Sequence, residues 1–211
     1  KNKKGLFIVF EGIDGSGKST QIRKFVDYLF NKHKYNHIIL TRNPYKDANI
    51  RAVLRADNDP YKQAEKLAEL FMNDRKLQTA ELIKPNLEGG HLIISDRYKL
   101  STIVYQSAQG LDMKNLIDKH KTSDFVVPDI TFIIDVSAEE ARKRMGDETT
   151  RDEHKFEANL DFAKKLRENH LKAKEMLEKE GERVFIIDGK QESDKVFEDI
   201  KRVFERGIGK L

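Results

Sequence analysis

A glycine-rich segment near the start of the chain constrains the fold more than any other feature. Residues 12–19 read G-I-D-G-S-G-K-S, which matches the phosphate-binding loop G-x-x-x-x-G-K-S/T. An apolar run at 6–10 precedes the segment, and residues 18 to about 34 carry apolar side chains at the helical period. Because a strand, a glycine loop and a helix start follow one another, the sequence predicts a site for a phosphate-bearing ligand.

The residue types in this loop have distinct chemical uses. Glycines let successive backbone N–H groups point at one anion, and the helix N-terminus adds a partial positive charge. Lys18 is placed to reach the β- and γ-phosphates of a nucleotide, and the Ser19 hydroxyl to ligate Mg²⁺. The predicted ATP-binding residues are Gly12, Asp14, Gly15, Ser16, Gly17, Lys18, Ser19 and Thr20.

Four further apolar runs indicate the fold class. They occupy residues 37–41, 91–95, 130–134 and 183–187, and helical patterns separate them. Short, continuously apolar strands that alternate with helices are typical of a parallel sheet covered on both faces. The sequence therefore predicts a single α/β domain over residues 1–211, with a five-stranded parallel sheet doubly wound by helices. Ligands of such sheets bind at the carboxyl ends of the strands.

Helical periodicity is found at about 61–87, 137–145, 156–177 and 196–204. Between the second and third of these helices, residues 146–153 are polar and lack large apolar side chains. This stretch is either a mobile lid over the phosphate site, extending over about 144–155, or a solvated loop.

An acidic and a basic residue end the third apolar run. Asp96 lies where P-loop proteins place a carboxylate that helps to hold Mg²⁺. Arg97 is suited to clamp a phosphoryl oxygen with its planar pair of donors. The alternative is an ion pair on the surface.

Two sets of residues are candidates for a pocket wall. Arg75 falls on the apolar stripe of its helix, four residues after Phe71. It either bonds a planar ligand stacked on Phe71 or extends to solvent, as long cationic side chains do. Ser101, Thr102 and Tyr105 share one helical face, so they line the same pocket or, for Tyr105, belong to the core.

Composition bears on which partners are expected. The chain has 40 basic and 36 acidic residues, a formal charge of +4, and the charges are interspersed. Because no basic tail or block is present, nucleic-acid binding is not predicted. No apolar stretch reaches the length of a membrane span, and the chain contains no cysteine. These features predict a cytoplasmic protein without a membrane partner.

Several motifs together resemble those of the thymidylate kinases. They are residues 11–20, residues 41–44, Phe71 with Arg75, and residues 96–98 with Ser101, Tyr105 and Gln106. They follow one another in the family order from residue 5 to about 110, and the resemblance is looser beyond that. It implies a P-loop kinase fold with a lid, and an enzyme that forms a homodimer. The implied reaction is the phosphorylation of dTMP to dTDP by ATP with Mg²⁺, a step in dTTP synthesis.

The resemblance also implies roles for individual residues. Asp14 would hold the sugar 3′-hydroxyl, and Tyr105 would occupy the place of a ribose 2′-hydroxyl. Phe71 would stack on thymine, Arg75 would bond its O4, and Arg97 would bridge the transferred phosphoryl group and the dTMP phosphate. Ser101 and Thr102 would border the base, and residues 188–191 would border adenine. The implied dTMP-binding residues are Asp14, Arg42, Pro44, Lys46, Phe71, Arg75, Arg97, Ser101, Thr102 and Tyr105.

The chain departs from the family pattern at several positions. Asn43 stands where bacterial members often have glutamate, and Lys46 where other members have arginine or tyrosine. Some members carry an arginine inside the phosphate loop, but this chain has Gly15 and Ser16 there. The arginine that stabilises the transition state is therefore expected from the lid, with Arg151 favoured and Arg144 second. The predicted catalytic residues are Lys18, Asp96, Arg97, Arg151 and Arg144, and the predicted metal ligands are Ser19 and Asp96.

Two alternatives to a monophosphate kinase remain. A deoxynucleoside kinase would use a carboxylate base for a 5′-hydroxyl, whereas this chain offers several cations for a phosphate acceptor. A nucleotide-switched binding module is the alternative from another class. The chain has neither the guanine-reading N-K-x-D pattern nor a large basic face.

Overall fold

A computed structural model describes residues 5–32, 37–56, 59–146 and 159–208. Five strands form one sheet in the order β2-β3-β1-β4-β5, and every neighbouring pair is parallel. The strands are β1 (Leu6–Glu11), β2 (Ile38–Arg42), β3 (Leu92–Asp96), β4 (Ile130–Asp135) and β5 (Val184–Asp188). The predicted five-stranded parallel sheet is confirmed, and each strand lies within one residue of its apolar run.

Helices connect the strands. They are α1 (Lys18–Lys32), α2 (Ala48–Ala56), α3 (Ala64–Gln78), α4 (Lys84–Glu88), α5 (Lys99–Ala108), α6 (Met113–Thr122), α7 (Ala138–Met145), α8 (Leu160–Lys179) and α9 (Ser193–Ile208). The short helices α2 and α6 were not predicted from the sequence. Within the described ranges, none of the helices combines the length and the apolar character that a membrane crossing requires.

The helix predicted over 61–87 is interrupted. It begins at Ala64, and the turn Thr79–Ile83 between α3 and α4 is a π-helix, in which the Lys84 N–H donates to the Thr79 carbonyl. Pro85 explains the position of this turn. Its ring lacks an N–H for the Glu81 carbonyl and would collide with that carbonyl in a regular α-helix.

Alternate residues of β1 pack on opposite faces of the sheet, as the pleat of a strand requires. Ile8 and Phe10 contact the apolar side of α1 and α9, whereas Phe7 and Val9 contact residues of the π turn and α4. A third cluster joins α3, α5, α6 and α8. Both faces are therefore covered, and the carboxyl ends of the strands remain as the edge where a site is built.

Candidate active site

The phosphate loop connects β1 to α1, and its glycines are structurally required. Gly12 has a φ of +136°, and a Cβ there would lie 2.6 Å from the Ile134 carbonyl oxygen. Gly15 has a φ of +77°, and its Cβ would lie 2.4 Å from the Ala141 carbonyl oxygen. A side chain at either position would collide with backbone, so the loop can curve tightly only with glycine.

Lys18 is buried in the first turn of α1 and points back at this loop. Its Nζ donates to the carbonyl oxygens of Gly12 at 2.8 Å and Ile13 at 2.9 Å, and lies 3.7 Å from Asp14 Oδ1. Ser19 and Thr20 follow in the same turn. The ammonium group is therefore held within the curve of the loop, next to the N-terminus of a helix, which favours anions.

Arg97 connects the loop to α5. Its guanidinium forms an ion pair with Asp14 of the phosphate loop and donates to Ser101 Oγ at 3.1 Å. It also lies 5.2 Å from the centre of the Tyr105 ring. The alternative of a surface ion pair with Asp96 is wrong for this residue, because its partner is Asp14 and its side chain faces the site.

The backbone at Arg97 has an unusual conformation. Its φ is +69°, in the left-handed region, which costs a non-glycine residue on the order of 1–3 kcal/mol. Its N–H donates to the Phe10 carbonyl at 2.8 Å, and its carbonyl accepts from Ser95 Oγ at 2.7 Å. These bonds hold the turn after β3 in the conformation that directs the guanidinium toward the phosphate loop.

Glu11 supports the same turn from beneath, a role that the sequence did not reveal. The carboxylate is fully buried and accepts from the Tyr98 N–H at 2.8 Å, the Ser101 N–H at 3.2 Å and Ser101 Oγ at 2.6 Å. Burial raises the pKa of Glu11, while the charge of Arg97 and these hydrogen bonds act in the opposite direction. Its position as an acidic residue at the end of an apolar strand was the sequence signal that could have indicated this role.

The raised pKa of Glu11 predicts a pH-dependent contribution to stability. The folded state holds the proton of Glu11 more tightly than the unfolded chain, so this contribution is complete below the usual pKa of 4.5 and is lost as pH rises through the folded value. Glu11→Gln keeps the shape and cannot ionise. We expect the wild type to lose stability relative to Glu11→Gln as pH rises above about 4.5.

Urea unfolding of both proteins across a pH series measures this difference in the free energy of unfolding. The exposed substitution Glu69→Gln on α3 is the matched control. A wild-type curve that stays parallel to that of Glu11→Gln, or that gains stability relative to it as pH rises, would contradict the prediction.

A pocket of about 180 Å³ opens beside Arg97 and collects most of the predicted acceptor residues. Its lining residues are Asp14, Asn43, Pro44, Leu54, Phe71, Arg75, Arg97, Tyr98, Ser101, Thr102, Tyr105 and Gln106. Tyr105 lines this pocket, which favours the first of its two interpretations. Leu54 was missed although its helix α2 carries a signal, because Ile50, Val53 and Leu54 recur at the helical spacing.

Arg75 lies at the inner end of the pocket. Its side chain is fully buried, so the alternative of an arginine that extends to solvent is wrong. The guanidinium donates to Asn43 Oδ1, the Tyr98 carbonyl and Thr102 Oγ1, each at 3.0 Å, and lies 3.1 Å from His120 Nε2. Burial lowers its pKa to about 10, which still leaves it cationic at neutral pH.

A second cavity of about 380 Å³ lies between α1 and the carboxyl ends of β2 and β3. Ser19 and Asp96 both line it, together with Arg42, whose guanidinium lies 3.5 Å from Asp96 Oδ2. Asp96 Oδ1 is buried, and no hydrogen-bond donor reaches it from the described residues. A buried carboxylate oxygen and a hydroxyl on one cavity are a donor set that fits Mg²⁺.

The segment after β2 is fixed by Asp74 of α3. This buried carboxylate accepts from the successive N–H groups of Tyr45, Lys46 and Asp47. The Lys46 ammonium pairs with Glu81 at 2.5 Å and does not line the pocket. The structure therefore places Lys46 outside the pocket that most of the implied dTMP-binding residues line, with its ammonium group on the surface beside Glu81.

The two predicted lid arginines differ in what the structure shows. Arg144 donates to the Gly189 carbonyl at 2.9 Å and the Ser16 carbonyl at 3.5 Å, and pairs with Glu140 at 2.8 Å. It thus connects the phosphate loop with residues 188–191, the segment expected to border adenine. Arg151 and most of the predicted lid lie outside the described residues.

Comparisons with known proteins agree with this geometry. The family model described as thymidylate kinase matches residues 10–200. A protein of Thermococcus kodakarensis named "Probable thymidylate kinase" is 33% identical, covering 97% of this chain and 99% of its own. The thymidylate kinase of Wolbachia pipientis is 36% identical over 95% of this chain and 96% of its own.

A solved structure is similar as well. The crystal structure of thymidylate kinase from Ehrlichia chaffeensis superposes with a TM-score of 0.71 at 28% identity, covering 96% of this chain and 99% of that one. Sequence and architecture thus agree over nearly the whole length. The chain belongs to the thymidylate kinase family.

Proposed function

We propose that the chain transfers the γ-phosphoryl group of ATP to dTMP, giving dTDP and ADP, which is the activity of its family. One observation carries the proposal. A pocket walled by Phe71, Arg75 and Tyr105 opens next to Arg97 and Asp14, which contact each other at the phosphate loop. The acceptor and the donor phosphates can therefore meet at Arg97.

The pocket residues supply contacts for each part of dTMP. The thymine ring stacks on Phe71, and its O4 accepts from the guanidinium of Arg75. The sugar lies between Asp14, which accepts from the 3′-hydroxyl, and Tyr105, which fills the space of a 2′-hydroxyl. The acceptor phosphate then reaches Arg97, whose planar donors match phosphate oxygens.

The phosphates of ATP lie on the backbone N–H groups of the phosphate loop and on Lys18. Ser19 and Asp96 would hold Mg²⁺, which would supply positive charge against the phosphates of ATP. Arg97 and Lys18 approach the reacting group from the acceptor and donor sides. The protein thus acts by positioning and by charge stabilisation, without a covalent intermediate.

The geometry disfavours a deoxynucleoside kinase. Such an enzyme needs a carboxylate within reach of a 5′-hydroxyl to take its proton. Among the described lining residues of the pocket, Asp14 is the single carboxylate, and it is ion-paired with Arg97. A paired carboxylate is a weak base, whereas the guanidinium beside it suits a substrate that already carries phosphate.

A coupled assay of ADP release tests the proposed function. With MgATP present, we expect turnover on addition of dTMP, less with dUMP or dCMP, and none with thymidine. Better use of another monophosphate, phosphorylation of thymidine, or ATP hydrolysis that does not depend on the acceptor would each contradict the proposal. The last result would favour a nucleotide-switched module.

Replacing Phe71 by alanine should weaken acceptor binding selectively. Stacking of a base on an aromatic side chain contributes about 1–3 kcal/mol, so the Kd for dTMP should rise roughly 5- to 150-fold. The Kd for ATP should change little because Phe71 lies in the acceptor pocket. Titration calorimetry with each nucleotide measures both values. Phe30→Ala on α1 is the control, since that ring is 70% exposed. Equal losses for the two nucleotides would refute the assignment.

Three further features of the family resemblance stay predictions for this chain. They are a homodimer, a cytoplasmic location, and a lid that supplies Arg151 to the transition state. Sedimentation or light scattering of the purified protein tests the first of these directly.

A further inference from the structure

We propose that His120 is a positioning residue for acceptor specificity. Its ring accepts a hydrogen bond from Arg75 and so restrains the guanidinium. The donors that this bond does not use are then directed at a carbonyl group on the base. This inference rests on the proposed function, because it deepens the role of Arg75 in reading the acceptor.

His120 is buried in α6 and is not among the residues that line the pocket. Its Nδ1 lies 2.7 Å from the Leu116 carbonyl, which can only accept, so Nδ1 carries the proton. Nε2 is then an acceptor, and it lies 3.1 Å from an amino group of Arg75. Burial, and next the charge of Arg75, lower the pKa of His120 to about 3, which keeps the ring neutral in this role.

The other partners of Arg75 are neutral as well. They are the Asn43 amide oxygen, the Tyr98 carbonyl and the Thr102 hydroxyl. In the part of the chain that the structure describes, no carboxylate lies within ion-pair distance of Arg75, and the charges of Glu11 and Asp74 act on it from farther away. The neutral acceptors orient the guanidinium without a direct ion pair, so it can still form a charged or polar contact with a ligand.

Arg75 also retains donor capacity. Its Nε–H is buried and has no hydrogen-bond partner among the described residues. A guanidinium has five donors and no acceptor, so it favours a ligand carbonyl and disfavours a ligand amino group at the same place. The site can reject a ligand amino group only if the guanidinium cannot rotate to avoid it. The hydrogen bond to His120 restrains this rotation.

The test compares two amide substitutions at this position. In His120→Gln the side-chain amide reaches the place of Nε2 and can still accept from Arg75. In His120→Asn the amide stays near the place of Nδ1 and cannot. Both variants are polar, but asparagine is smaller than glutamine by one methylene and leaves more space, so thermal unfolding of each variant measures the loss of packing separately. The readout is the ratio of kcat/KM for dTMP to that for 5-methyl-dCMP, which has an amino group in place of O4 and no proton on N3.

We expect His120→Asn to lower this ratio about tenfold, mainly through KM for dTMP, with KM for ATP unchanged. That factor corresponds to about 1.4 kcal/mol. His120→Gln should keep the ratio within about threefold of the wild type. An unchanged ratio in His120→Asn, or equal losses in both variants, would overturn the proposal and leave His120 a packing residue.

A failure of the proposed function would look different. It would appear as a wild-type protein that does not turn over dTMP, before any variant is compared. If His120→Asn does not fold, Thr102→Val provides the second comparison, because it removes another neutral acceptor of Arg75 with little change in volume. A ratio that Thr102→Val leaves unchanged would then overturn the proposal that anchoring of Arg75 sets the discrimination.

Discussion

Replacing Lys18 by alanine should lower kcat by about 10³-fold while the protein remains folded. The ammonium group lies within the curve of the phosphate loop. In the proposed function it meets the β- and γ-phosphates there, as negative charge shifts between them. Loss of one preorganised donor at a site of developing charge costs about 10²–10³ in kcat, and here a full charge is lost as well.

The measurement is steady-state kinetics at saturating ATP and dTMP, with thermal unfolding as the check on structure. Lys24→Ala is the matched control, because Lys24 lies on the same helix and pairs with the exposed Asp194. Near-normal kcat in Lys18→Ala would show that the loop binds the donor without contributing to the transfer. A large fall in melting temperature would show that the bonds to the loop carbonyls dominate instead.

Local sequence signals predicted much of the framework. The glycine loop and the apolar runs are each encoded by a few consecutive residues. The positions of the strands could therefore be predicted from the sequence alone. The pocket wall was predictable for the same reason, since Phe71 and Arg75, and likewise Ser101 and Tyr105, are four residues apart on one helical face.

The partners of those residues could not be predicted in this way. His120 is 45 positions from Arg75 in the sequence, and Asn43 is 32 positions away. Neither contact has a local signal, because each depends on how α6 and the segment after β2 pack around α3. Lys46 illustrates the converse. Its place two residues after Pro44 suggests a role in the pocket, but its side chain lies on the surface beside Glu81.

The same distinction applies to Arg97. The sequence predicted it as a site residue, but not the contacts that fix its side chain and backbone. Three separate groups fix it: Asp14 pairs with the guanidinium, Ser101 accepts from it, and the Phe10 carbonyl holds its backbone. Glu11 in turn holds Ser101. The strained φ of Arg97 is therefore maintained by the buried end of β1, which connects the core of the sheet to the position of the charge proposed to act in catalysis.

Arg97→Ala should consequently lower kcat by on the order of 10³-fold or more. A positioned arginine stabilises the charge that spreads over the equatorial oxygens in phosphoryl transfer, and contributes about 10³–10⁵ in rate. Arg97→Lys keeps the charge but loses the planar pair of donors, so we expect it to recover only a small part of the loss. Single-turnover kinetics of both variants separate the chemical step from binding.

Arg202→Ala on α9 is the control, because that arginine is exposed and pairs with Asp199 of its own helix. A rise in KM for dTMP with kcat intact would show that Arg97 binds the acceptor phosphate in ground state and transition state alike. The charge of the transition state would then have to be met by Arg144 or Arg151, because the phosphate loop carries no arginine. Loss of kcat in Arg97→Ala would instead show that Arg97 itself stabilises the charge of the transition state.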